Sequence, residues 1–122
     1  MPAQSQIVCD PDAELVAIIT ADRDGVIRGW NAAAARIFGY APAEAIGRTI
    51  DFLIPPEERG DHWHAYRRVI ETNLINYSPE HVLDIEGVRK DGTRVHLDAM
   101  LIACHDGAGH IKAVTAEMRE MP

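Results

Sequence analysis

Cysteine is scarce in this chain: Cys9 and Cys104 are the two present among 122 residues. One thiol lies in the N-terminal lead and the other in a strand-like run, so no disulfide framework is expected, and no CxxC pair offers a zinc site. Both read as reduced thiols, which points to a reducing, cytoplasmic compartment. Positive charge is also short: 12 Lys and Arg stand against 19 Asp and Glu, for a net charge of −7. A nucleic-acid surface needs clustered cations to meet phosphates, so that class is excluded. The pairs Arg67-Arg68 and Arg89-Lys90 read as a solvated face and a turn. The opening MPAQSQIVCDPDAEL lacks the basic start and apolar stretch of a signal peptide. No apolar run reaches the length of a membrane span. A Gly-rich phosphate loop, a nucleophile elbow and an HExxH pair are all missing. No Ser or Cys is placed to complete a triad with Asp61-His62 or Asp106. Enzyme activity is therefore not expected.

What is present suits one small globular domain. Hydrophobic residues make up 47% and charged residues 25%, ordinary values for a folded chain with a single modest core. Residues 1–12, with Pro2 and Pro11, read as a flexible lead, and residues 13–122 as the domain. Leu15 to Thr20 and Val26 to Trp30 read as a hairpin around the turn Asp22-Arg23-Asp24-Gly25. Asn31 is a good N-cap for a helix over Ala32 to Phe38 that Gly39 stops. Pro42 opens a short helical turn, and Pro55-Pro56 cuts off the apolar group Ile50, Phe52, Leu53 and Ile54. A long helix is expected over Glu57 to Asn73, with acids at its start and His62, Tyr66, Val69 and Ile70 on one face. Three strands follow: His81 to Val88, Thr93 to Cys104 and Ile111 to Met118, joined by turns at Lys90-Asp91-Gly92 and His105-Asp106-Gly107. The fold class is α+β, an antiparallel sheet with helices on one face. A cleft between the two layers is the natural ligand site. Strand parity and one helix face give its lining as His62, Tyr66, Leu83, Ile85, Leu97, Ala99, Leu101, Val114 and Ala116.

The stretch Asp24-Gly25-Val-Ile-Arg-Gly-Trp-Asn31-Ala-Ala-Ala-Ala-Arg-Ile-Phe-Gly39-Tyr40, followed by Glu44 and Gly47, resembles the N-terminal signature of PAS domains. The Arg89-Lys90-Asp91-Gly92-Thr93 turn resembles a later part of the same pattern, and the likeness covers about residues 14 to 121. It implies a five-stranded antiparallel sheet in the order 2-1-5-4-3. It also implies a sensory or dimerising module, a homodimer that passes its signal to an output domain or partner protein.

The resemblance also bears on the cofactor. A flavin photosensor of the LOV type needs a reactive cysteine in the region that here reads Gly47-Arg48-Thr49-Ile50-Asp51-Phe52-Leu53, so flavin photochemistry is not expected. The segment from Asp51 to Arg68 is similar to the haem PAS domains of the FixL and Dos oxygen sensors. That similarity gives His62 the position of the proximal iron ligand and Arg68 that of a propionate contact. Leu83 stands where those sensors carry an oxygen-binding arginine. His81, of the same strand parity, stands near their distal methionine and is a candidate second ligand. His64 is expected to face solvent. Tyr66 and Phe52 compete for the same space as a porphyrin. A histidine at the position of His62 also occurs in PAS domains without haem, so an organic ligand or a cofactor-free association module remains the alternative. That alternative uses the outer sheet face, with Trp30, Met100, Ile102 and Met118 as candidates, and the apolar group Ile7, Val8 and Leu15.

Overall fold

The computed structural model describes residues 15–75 and 80–121. The expectations for Ile7, Val8 and Cys9 therefore lie outside the described residues. The elements run β1 (Val16–Asp22), β2 (Ile27–Trp30), α1 (Ala32–Phe38), α2 (Pro42–Ala45), two short 3-10 turns (Ile50–Leu53 and Pro56–Glu58), α3 (Arg59–Thr72), β3 (Leu83–Val88), β4 (Arg94–His105) and β5 (Ile111–Glu120). The strands form one five-stranded sheet in the order β2-β1-β5-β4-β3, and every pairing is antiparallel.

Local chemistry explains the hairpin and the first helix. Asp22 Oδ1 accepts from the N–H groups of Asp24 and Val26, an Asx-type turn that Gly25 completes at φ 78°. Burial pushes the Asp22 carboxyl up, but these N–H donors and the Arg28 guanidinium outweigh it and hold it below its ordinary value. Asn31 Oδ1 accepts from Ala34 N, while its side-chain amide donates to Val16 O. One side chain thus caps α1 and ties it to β1. Gly39 ends α1 in the left-handed region.

The core lies between the sheet and α1. Ile27, Ala34 and Leu97 are fully covered, and Phe38 nearly so. Gly87 on β3 is small because Phe38 occupies the space a Cβ would need. Trp30 belongs to this core and corrects the expectation of an outward tryptophan: it is buried, lies 5.9 Å from the Phe38 ring and donates Nε1–H to Tyr40 O. A register shift between Thr20 and Ala21 is the reason. It breaks the period-two pattern of β2, so that Ile27 and Trp30, three residues apart, both point inward. Met118 also turns inward. The outer candidates that remain are Met100 and Ile102, both half-buried. Leu15 is exposed.

The long helix begins two residues later than expected, after the 3-10 turn at Pro56–Glu58, and ends at Asn73 in the left-handed region. No residue of α3 is buried. It covers the sheet at a distance, and that leaves the cavity.

Candidate functional site

Between α3 and the inner sheet face lies a cavity of about 270 Å³. The structure brings His62, Tyr66, Leu83, Ile85, Leu97, Ala99, Leu101, Val114 and Ala116 together on its wall. Leu83 pairs with Ala99, Ile85 with Leu97, Leu101 with Ala116 and Ala103 with Val114, which sets the inward residues in rows. A second chamber of about 300 Å³ lies toward the C-terminal half of α3, and Arg68, Val69, Thr72 and Leu74 help to line it. His62, Tyr66, Leu101 and Val114 belong to both chambers.

Sequence reasoning missed part of the wall. Ile19, Ala21 and Met118 come from sheet positions, Phe38 from α1, and Ile50, Leu53 and Ile54 from the 3-10 region. The strand residues were available by parity; the 3-10 residues carry no period that could have placed them. Phe52 does not fill the cavity: its ring stands edge-on to Tyr40, 4.8 Å away, beneath the Arg48 guanidinium. His81 is a second correction. The strand starts at Leu83, and His81 is exposed ahead of it and does not line the cavity. Its strand parity with Leu83 has no force outside the strand. His64 is exposed, as helix geometry requires.

The polar groups on the cavity wall are unequal. Tyr66 Oη donates to the carbonyl of Asp22 at 2.5 Å and lies 3.3 Å from that of Ala21. Burial, with Asp22 and Asp24 nearby, pushes its phenol up to about 12. The hydroxyl is therefore committed to the end of β1. His62 differs: its Nδ1 is buried without a hydrogen-bond partner. Burial pulls its imidazole below the usual histidine range, against the opposing pull of the Asp51 carboxylate. The neutral ring is the form that ligates metals. His62, Trp63 and Tyr66 pack ring against ring at 5.2 to 5.9 Å. Trp63 donates Nε1–H to Asp51 and seats its ring over Gly25, where a Cβ would collide with it. These aromatic side chains tether the start of α3 to the β1–β2 turn.

A five-stranded antiparallel sheet in the order β2-β1-β5-β4-β3, with a helix roofing an apolar cavity, is the architecture that the resemblance implies. The family model described as the PAS fold matches residues 10–121, and the chain belongs to that family. Among curated proteins it is similar to the sensor protein FixL of Bradyrhizobium diazoefficiens, 35% identical over 81 residues. That match covers 63% of this chain but 15% of FixL. Among solved structures, a PAS domain from Colwellia psychrerythraea superposes with a TM-score of 0.74 at 20% identity, covering 88% of this chain and 86% of that one. The quorum-sensing receptor PAS domain RpfR of Cronobacter turicensis, in complex with C12:0, superposes at 0.71 with 15% identity, covering 94% and 99%. The last two likenesses are of fold. No described helix is long and apolar enough to cross a membrane.

Proposed function

We propose that this PAS domain holds a ligand in the cleft under α3, that haem held by His62 is that ligand, and that cleft occupancy is relayed to an output domain or partner. The observation that carries this reading is His62 itself. It lies where the two chambers meet, is kept neutral by burial and has an unpartnered ring nitrogen. The likeness to FixL supports it.

The residues fit the group in their chemistry. His62 would hold the iron, and Arg68, on the outer chamber, would meet a propionate. Haem, when bound, supplies a redox-active iron that takes diatomic gases. A porphyrin is larger than the inner chamber, so this reading needs the two chambers to act as one cleft. Leu83 presents an apolar side chain to the cavity and offers no hydrogen bond to a bound gas. That favours carbon monoxide, nitric oxide or redox state over dioxygen as the signal. Haemin titrated into the protein gives a sharp Soret band; His62→Ala removes it, and Arg68→Ala weakens it less. A titration without a Soret change, or one unaltered in His62→Ala, overturns the haem reading.

A second reading, a cofactor-free association module, is favoured by one observation. Ile18 is 39% exposed on the outer sheet face, where Glu117 stands between it and Met100. On this reading the protein is a dimer in solution whatever its cavity holds. A light-scattering mass equal to one chain at high concentration contradicts it.

A further inference from the structure

We infer that the last two turns of α3 are a latched flap over the outer chamber: the bond between Asn73 and Ile111 is the latch, and its release opens the way from that chamber to the inner one. The inference rests on the reading of the cleft as a ligand site, but on no particular ligand.

The two halves of α3 are held differently. The first half is pinned at several points. Trp63 donates to Asp51 and seats its ring over Gly25, Tyr66 donates to the carbonyl of Asp22, and His62 packs against both rings. This half borders the inner chamber through His62 and Tyr66. The last two turns border the outer chamber through Arg68, Val69 and Thr72. They are tied to the sheet at their very end, where Ile111 N donates to Asn73 Oδ1 at 2.9 Å. The Thr72 hydroxyl turns back to Arg68 O within the helix. No residue of α3 is buried, so few packed contacts oppose a local opening of these turns.

The receiver of the latch is fixed independently of the flap. Ile111 opens β5 and is fully buried, and its carbonyl accepts from Arg23 Nη1 at 2.7 Å. Arg23 adjoins Asp22, whose carbonyl holds Tyr66. The β1–β2 turn thus braces both the receiver and the first half of the helix, while the flap reaches the sheet through Asn73. Asn73 ends the helix at φ 57°, the one non-glycine residue at positive φ among the described residues, and asparagine tolerates that conformation. The two chambers share His62, Tyr66, Leu101 and Val114, so the space beneath the flap adjoins the inner chamber directly.

Asn73→Gly tests the latch, because glycine keeps the left-handed backbone without strain and removes the acceptor; Asn73→Asp keeps an acceptor. In the empty protein, Asn73→Gly speeds amide exchange of residues 67–73 and of Ile111 by about ten-fold, the scale of one buried N–H left unpaired. Residues 61–66 keep their rates, and Asn73→Asp stays close to the parent. Stopped-flow fluorescence with 1-aminoanthracene, a neutral apolar probe, reads the gate: Asn73→Gly speeds association and dissociation alike and leaves the affinity nearly unchanged, whereas a merely structural role raises dissociation alone. Uniform acceleration of exchange along α3, exchange that is unaltered, or an affinity lost through dissociation alone overturns the inference. A parent protein that binds neither the probe nor haemin loses the ligand reading of the cleft, and the gate with it. A probe that binds at rates unaltered by Asn73→Gly removes the gate and leaves that reading standing.

Discussion

The two halves of this small domain are packed differently. Around β1, β2 and α1 the inner layer is dense: Ile27, Ala33, Ala34 and Phe38 are essentially inaccessible, and Trp30 closes the cluster. Across the sheet, α3 has no buried residue, and its aromatic face borders an apolar cavity. Both halves share strands, so the difference comes from the helices. The helix α1 presents alanines that let its backbone lie close to the sheet. The helix α3 presents His62, Trp63 and Tyr66, whose rings prop it away while their polar ends hold the β1–β2 turn and Asp51. Close packing is a source of stability, and a hollow forfeits it. The dense half is the scaffold, and the hollow half is where a ligand can act.

Substitutions can break this comparison. The largest effect is expected at Trp30→Ala, which should cost about 3–5 kcal/mol by opening a hole in the dense half. Leu101→Ala, on the wall of an existing cavity, should cost no more than about 1–2 kcal/mol, since little new cavity surface is created. Urea unfolding measures both, and equal costs would erase the distinction. Next comes the seat of Trp63. Gly25 and Gly92 both have positive φ, but a Cβ at Gly25 meets the Trp63 ring, whereas one at Gly92 meets nothing within 4 Å. Gly25→Ala should therefore lose at least about 1 kcal/mol more than Gly92→Ala, the usual penalty of overpacking, and should shift Trp63 fluorescence. Matching losses would mean that Trp63 is not seated there.

Smaller effects sharpen the account. Tyr66→Phe removes the donor to the carbonyls of Asp22 and Ala21 and should cost about 0.5–1.5 kcal/mol in thermal or urea unfolding. The smallest effect is the pH response of His62. The unfolded chain takes the proton near 6.5, and burial lowers that value in the folded protein. Between the two values the unfolded chain holds more protons, so stability falls as pH drops below 6.5 and this loss is absent well above it. His62→Gln should flatten that part of the pH profile. The exposed histidines are common to both proteins and cancel in the comparison. An identical slope in the variant would assign the dependence elsewhere.

Much of the hollow half was legible because strands have a period of two. Leu83, Ile85, Leu97, Ala99 and Leu101 alternate with polar or outward residues, and parity alone put them on one face. The 3.6 period did the same for His62 and Tyr66. The rest was hidden for identifiable reasons. Ile50, Leu53 and Ile54 sit in short 3-10 turns with no repeating pattern. The inward turn of Trp30 is hidden because the register shift between Thr20 and Ala21 cannot be seen in the sequence. His81 shares the parity of Leu83, but the strand itself starts two residues later, at Leu83. The cavity itself was not legible, because it depends on how far the aromatic face of α3 holds that helix from the sheet.

The most direct test of the central claim, that the hollow half is the ligand-responsive half, is amide hydrogen exchange with the cleft empty and with haemin bound. Haemin occupancy should slow exchange along α3 and at the inner rows of β3, β4 and β5, while α1 and β2 keep their rates. A ligand that protects α1 and β2 instead, or binds while leaving α3 unchanged, would contradict the account.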